Sequence, residues 1–338
     1  MDNRDDCVND DSAALLEVRG LTTEFVSEAD GAGRVVRAAD GVSFDIGRGE
    51  VLALAGESGS GKSVTALSIL RLVPPPGRTV AGSVRFESRE LLTLGERDLL
   101  QVRGSRIGFV FQEPMTALNP AFTVGEQIAE VLEVHGAARG PAARARAVEL
   151  LDAVRIPDPE RRARDYPHQL SGGMRQRVLI AAAIACRPPL VIADEPTTAL
   201  DATIQAEILD LLAAMRVEFG LSLLLITHDL GIVARAADRV AVMYAGRIVE
   251  TGPVRDVLAA PAHPYTRGLI ASRPGQVPGT RLQAIPGTVP DLGSLPPGCA
   301  FAPRCPDRFG ACDTGRPETV AVSPGRTARC HLHSEAAR

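Results

Sequence analysis

The chain predicts an α/β fold: a mixed sheet core carrying an antiparallel β subdomain, a helical subdomain and a small irregular, cysteine-containing C-terminal extension. Three observations point there. Short apolar runs without alternation recur at residues 51–55, 107–111, 190–194, 223–227 and 240–244, as in parallel strands covered on both faces. Alternating runs fill residues 15–45, the pattern of half-buried antiparallel strands. Between them, residues 114–187 are dominated by Ala, Arg, Glu and Leu at helical spacing, with no convincing strand.

Taken in order, residues 1–14 are polar and are expected to fray. The runs LLEVRGLTTEF and VRAADGVSFDI read as antiparallel strands joined by a Gly/Ala/Asp loop at 28–34. The strand at 51–55 runs straight into glycines, and a helix begins at Gly61 or Lys62 and stops before Pro74. The helical insertion at about 114–187 interrupts the α/β body. Beyond Ala260 periodicity fades and Pro and Gly become frequent, which divides a body at 15–260 from an extension at 261–338.

Composition narrows the class. With 338 residues, 45% hydrophobic and 23% charged, the chain has ample material for a core. It has no Trp and only 4% aromatic residues, so aliphatic side chains and Ala must fill that core. A net charge of −4 argues against nucleic acid as a partner. No run approaches the roughly 18 apolar residues of a membrane span, and the acidic start MDNRDDCVNDDS has no signal-peptide core. The expected location is the cytoplasm, with any contact to a membrane made through partners.

Residues Gly56, Glu57, Ser58, Gly59, Ser60, Gly61, Lys62 and Ser63 fit G-x-x-x-x-G-K-[ST], with Val64 next, an apolar strand before and a helix after. Glycines let backbone N–H groups wrap phosphate oxygens, and the helix N-terminus adds partial positive charge. Lys62 is expected on the β- and γ-phosphates, and the Ser63 hydroxyl on Mg²⁺. The strand at 190–194 ends in Asp194, placed to hold Mg²⁺, followed by Glu195, placed to polarise an attacking water. Together they indicate nucleoside triphosphate hydrolysis, with ATP and Mg²⁺ as the expected ligands. Kinases, GTPases and helicases share such loops, so this much does not choose among them.

Leu170, Ser171, Gly172, Gly173, Met174 and Arg175-Gln-Arg177 resemble the LSGGQ signature of the ABC ATPases, with Met in place of the usual Gln. The other family motifs follow in the family's order. Gln112 resembles the Q-loop glutamine that touches Mg²⁺ and water and senses the membrane domain. Residues 198–201, ending in Asp201, resemble the D-loop, and His228 resembles the switch histidine at the γ-phosphate. The resemblance covers about residues 15–260 and implies the P-loop NTPase fold of an ABC cassette. It further implies that Ser171, Gly172, Gly173 and Asp201 complete the nucleotide site of a second cassette in trans. One departure concerns the base: no aromatic residue stands at 26–38 to stack on adenine, and Phe25 is the nearest candidate.

QEPMTALNP from Gln112, FTVGEQI from Phe122, HPYTRGL from His263, IPGTVP from Ile285 and PGCAFAPRCP from Pro297 resemble the oligopeptide and dipeptide importer cassettes. That resemblance implies a peripheral subunit on the cytoplasmic face of the inner membrane. Its partners would be a second cassette, identical or paralogous, two permease subunits and an extracytoplasmic solute-binding protein. Nickel importers share the architecture, and a non-transport ABC ATPase is the alternative of another class. Four of the six cysteines, Cys299, Cys305, Cys312 and Cys330, crowd into the tail with five, six and seventeen residues between them. Lacking a C-x₂-C knuckle, they suit a [4Fe–4S] cluster better than Zn²⁺, and plain thiols stay open as the third reading. Cys7 and Cys186 are expected to be unligated, the latter on a helix.

Overall fold

The computed structural model describes residues 14–27, 34–272 and 284–334. Strands β1 (Leu16–Ser27) and β2 (Arg34–Ile46) pair antiparallel, and β1 also pairs antiparallel with β4 (Gly77–Phe86). The short β5 (Arg89–Glu90) completes a sheet of order β2-β1-β4-β5. Between β2 and β4 run β3 (Val51–Ala55) and α1 (Lys62–Ile69).

The second sheet has the order β11-β12-β10-β9-β3-β8-β7-β6. Its parallel half joins β3 to β6 (Ile107–Val110), β7 (Leu190–Asp194), β8 (Ser222–Thr227) and β9 (Arg239–Tyr244). Every residue of β3, β7 and β8 is buried. The period of two divides their side chains between the two faces of the sheet. Val51, Val191, Ala193, Leu223 and Leu225 face one apolar cluster, and Leu52, Leu54, Ile192, Leu224 and Ile226 face the other. Burial on both faces explains why these strands lack alternation in sequence.

After α2 (Glu96–Leu100) and β6, only helices occur until β7: α3 (Pro114–Ala117), α4 (Val124–Val134), α5 (Gly140–Ala153), α6 (Pro159–Arg162) and α7 (Gly172–Ile184). Helix α4 opens on a capping box, in which Thr123 and Glu126 satisfy each other's backbone N–H groups. The rest of the body comprises α8 (Ala202–Phe219), α9 (Leu230–Ala236), β10 (Arg247–Pro253) and α10 (Val254–Ala259). Cys186 lies in the turn after α7, not on a helix, because Pro188 and Pro189 stop the helix short of it.

The tail departs from the irregular extension expected of it. After α11 (Pro264–Ala271) and α12 (Ala311–Thr314), β11 (Val320–Ser323) and β12 (Arg326–Ala328) turn about Gly325 at φ 71°. Strand β12 pairs antiparallel with β10, so the tail widens the central sheet. Strands of four and three residues are too short to carry a periodic signal, and the sheet edge left by β10 supplies what local sequence does not. Phe301 joins Tyr244 and Tyr265 in a third apolar cluster on this side.

Candidate nucleotide site

Strand β3 delivers the chain into a loop that turns back on itself before α1. Gly56 has φ 157° and Gly61 φ 101°. A Cβ at Gly56 would strike the Met243 carbonyl, and one at Gly61 the Ala38 carbonyl, so both positions require glycine sterically as well. Buried Lys62 donates from Nζ to the Gly56 carbonyl at 2.9 Å and the Glu57 carbonyl at 3.0 Å. Burial pushes its ammonium below the usual lysine range, opposed by the nearby charges of Glu195, Asp194 and Glu57. Ser63 Oγ donates to Asp194 Oδ1 at 3.0 Å. Burial raises the Asp194 carboxyl above its ordinary value, against the Ser63 hydrogen bond. A desolvated carboxylate beside a hydroxyl is a donor set that suits a hard divalent cation.

Glu195 lies one residue beyond β7, with φ 45°, a conformation that non-glycine residues seldom adopt. Its Oε2 accepts from Thr198 Oγ1 at 2.7 Å and from Gln112 Nε2 at 3.4 Å, and His228 Nδ1 stands 3.2 Å away. Three loops, after β6, β7 and β8, thus converge on one carboxylate oxygen. A cavity of about 600 Å³ joins this cluster to the phosphate loop; Glu57, Ser58, Gly59, Gly61, Lys62, Ser63, Val64, Gln112, Glu195 and His228 line it. Ser60 Oγ is buried without a partner, and Asp194 enters only through Ser63.

Four predicted residues stand apart. Ser171 caps α7 by accepting from Met174 N at 3.3 Å and is exposed, as is Gly172. Gly173 is buried, where a Cβ would meet Ile204 at 2.6 Å. Asp201 is exposed and caps α8, accepting from Thr203 N at 3.1 Å and Ile204 N at 3.0 Å. None of the four lines the cavity around Lys62.

A family model described as ABC transporter matches residues 39–198, and one described as oligopeptide/dipeptide transporter, C-terminal region, matches residues 249–312. A probable peptide ABC transporter ATP-binding protein, y4tR, of Sinorhizobium fredii is 52% identical over 95% of this chain and 96% of its own. The oligopeptide transport ATP-binding protein AppD of Bacillus subtilis is 50% identical over 96% and 98%. The chain belongs to the ABC transporter ATP-binding proteins. Its fold matches that of MJ0796, a bacterial ABC transporter cassette solved as a dimer bound to ADP and Pi. The TM-score is 0.63 at 30% identity, covering 71% of this chain and 99% of that one. The chain is therefore an ABC ATPase. No helix among the described residues is long and apolar enough to cross a membrane.

The oligopeptide/dipeptide-type tail of this cassette reaches the nucleotide site, which sequence reasoning missed. Tyr265 Oη accepts from Glu57 N at 2.8 Å. Arg304 clamps the Glu57 carboxylate with two hydrogen bonds, 2.7 and 3.1 Å, and donates to the Pro286 carbonyl at 2.8 Å. Leu269 and Leu292 complete the cavity lining together with Ala38. HPYTRGL and APRC contain Tyr265 and Arg304, but nothing in them announces a partner some 200 residues upstream. Phe25, the sequence candidate for the base, is not in the cavity lining. It pairs across the sheet with Gly77, where a Cβ would meet its ring.

Cys299, Cys305, Cys312 and Cys330 all line one small cavity beside Phe301 and His331. Burial pushes the thiols of Cys299 and Cys305 up, and that of Cys330 up to about 11. Their chemistry suits a thiophilic metal, yet among the described residues no three His, Cys, Asp or Glu side chains are close enough to hold one. Cys7 lies outside the described residues.

Proposed function

We propose that this cassette hydrolyses ATP to drive uptake of peptides, oligopeptides or dipeptides, as part of a multi-subunit importer. One observation carries the reading: a complete phosphate loop with its carboxylate pair shares the chain with a C-terminal region of the oligopeptide/dipeptide type. Relatives that align over nearly the whole chain are named for peptide import or oligopeptide transport.

In this reading the backbone of Gly56, Glu57, Ser58, Gly59, Ser60 and Gly61 cradles the β-phosphate, and Val64 lies in the first turn of the helix behind it. Lys62 trades its two loop carbonyls for β- and γ-phosphate oxygens, which restores the ionic partner that burial denies it. Ser63, Asp194 and Gln112 would hold Mg²⁺, whose charge offsets that building on the phosphates. Glu195 orients and deprotonates the attacking water, and His228 steadies the γ-phosphate from beside the same oxygen. Ser171, Gly172, Gly173 and Asp201 reach the nucleotide of a second cassette, a role supported by the exposure of Ser171, Gly172 and Asp201 away from their own site.

Two permease subunits and an extracytoplasmic solute-binding protein complete the assembly, which holds the cassette on the cytoplasmic face of the membrane. Phe111, Met115 and Phe122, exposed by 42, 52 and 51%, lie on the stretch that runs through Gln112 and suit a docked permease helix. The domain scheme follows: body at 15–260, helical subdomain at about 114–187, extension from 261. For the four tail cysteines the reading of a [4Fe–4S] cluster, in preference to Zn²⁺, rests on their shared cavity; as placed they are too far apart to hold either metal, and no step of the cycle passes through them. Iron and zinc content after anaerobic purification tests that reading, and absence of both metals ends it.

The decisive experiment co-expresses the cassette with its permease subunits and reconstitutes them in liposomes. ATP-dependent uptake of a labelled peptide, lost with Lys62→Ala, is expected. ATP hydrolysis without peptide uptake, but with uptake of Ni²⁺ or another solute, would reject the peptide assignment.

A further inference from the structure

We infer that the C-terminal extension forms the base-binding wall of the nucleotide pocket, with Leu269 and Leu292 packing against the adenine ring in place of an aromatic side chain. The inference rests on the reading of Lys62's loop as an ATP site.

The sheet order sets two unlike walls around that loop. Strand β3 lies between β8 and β9. On the β8 side, the loops after β8, β7 and β6 bring His228, Glu195 and Gln112, all polar and gathered where a γ-phosphate is attacked. On the β9 side the cavity is bounded by Ala38, Leu269 and Leu292. A triphosphate whose terminal group meets Glu195 must send its nucleoside the other way, toward the apolar wall. A purine presents a flat face that gains by leaving water, and branched aliphatic side chains supply such contact.

Both leucines are held for this task. Leu269 lies on α11, which His263 caps by accepting from Tyr265 N at 3.0 Å and which Tyr265 ties to Glu57 N. Leu292 is flanked by Asp291, which bonds Arg34 of β2 through Oδ2 and accepts from Gly293 N through Oδ1 at 2.9 Å. Each leucine is only half-buried and packs its inner side on the cluster of Tyr244, Tyr265 and Phe301. Arg304, with its side chain 5% exposed, locks the same extension to Glu57 of the phosphate loop. Meanwhile Phe25 sets its ring against Gly77, outside the cavity lining.

The test separates base from phosphate. The full chain, as Leu269→Ala/Leu292→Ala, Leu292→Asp, Phe25→Ala and unaltered, is titrated calorimetrically with ATP and with inorganic tripolyphosphate. ATP affinity should fall about tenfold in the double variant and at least as far in Leu292→Asp, while tripolyphosphate affinity stays within about twofold. Phe25→Ala should leave both affinities unchanged. Three outcomes overturn the inference: unchanged ATP affinity in the leucine variants, equal loss of ATP and tripolyphosphate, or a tenfold loss of ATP confined to Phe25→Ala. Failure of the unaltered chain to bind either ligand would instead sink the ATP site on which the inference stands.

Discussion

At Glu195 the hydrogen bonds of Thr198 and Gln112 and the ring of His228 meet on one carboxylate oxygen, on a residue with φ 45°. Left-handed backbone at a charged side chain is retained where surrounding contacts over-determine it. Glu195→Gln keeps the shape and the acceptor oxygen but cannot take a proton. We expect phosphate release to fall about 10²- to 10⁴-fold with ATP binding intact. Turnover within threefold of the unaltered complex would remove Glu195 from the base role. Asp194 makes the opposite point about stability. Its folded carboxyl titrates above its unfolded value because burial disfavours the anion. Its favourable contribution is therefore full below the unfolded pKa and is lost as pH rises through the folded one, which leaves a cost at neutral pH. Asp194→Asn should raise the unfolding temperature of the nucleotide-free chain by a few degrees and abolish Mg²⁺-dependent turnover. A lowered unfolding temperature would contradict the sign.

Helix α11 is the element by which the tail grips the body. Its cap, His263, is 1% exposed and accepts at Nδ1, so it must stay neutral. Burial, with His333 and Arg267 adding repulsion, lowers its pKa from 6.5 to about 3. The unfolded chain binds the proton that the folded chain refuses, so stability is complete above about pH 6.5 and declines as pH falls toward 3. Between pH 6 and pH 4, urea unfolding should show a loss approaching ~1.4 kcal/mol per pH unit from this group. His263→Asn retains a capping oxygen and removes that slope; an unchanged slope would assign the acid sensitivity elsewhere. Arg304→Ala should cost about 2 kcal/mol, the scale of hydrogen bonds to a charged partner. It should also raise the KM for ATP several-fold, because Glu57 is released within the phosphate loop. A stability loss with KM unchanged would confine Arg304 to the fold.

On the scale of the whole molecule, the residues proposed to act in trans lie apart from the cavity that Lys62 lines. Ser171 and Asp201 cap their helices outside the cavity that Lys62 lines, as the proposed completion of a second cassette's site requires. In a Glu195→Gln background, ATP should convert the chain, or a mixture with its paralogue, into a stable dimer seen by light scattering. Adding Ser171→Arg should abolish that dimer while leaving ATP affinity of the separate chain within about twofold. Dimers that persist with Ser171→Arg would place the second half-site on some other surface.

Sequence by itself determined the chemistry that depends on neighbours in the chain. A strand, six residues of loop and a helix start make a phosphate cradle wherever they fold, because backbone N–H groups and glycine φ angles are local properties. For the same reason the doubly buried strands were legible as unalternating apolar runs, and the stretch between β6 and β7 as helices. Tertiary structure alone decided what spans long separations. It gathered Gln112, Thr198 and His228 on Glu195, set Phe25 against Gly77 outside the cavity lining, and added β11 and β12 to the sheet. It also carried Tyr265, Leu269, Leu292 and Arg304 to Glu57 and the cavity beside it. Contacts of this kind arise from sheet order and the closing of a shared core, and a side chain bears no local mark of the partner that packing will bring to it.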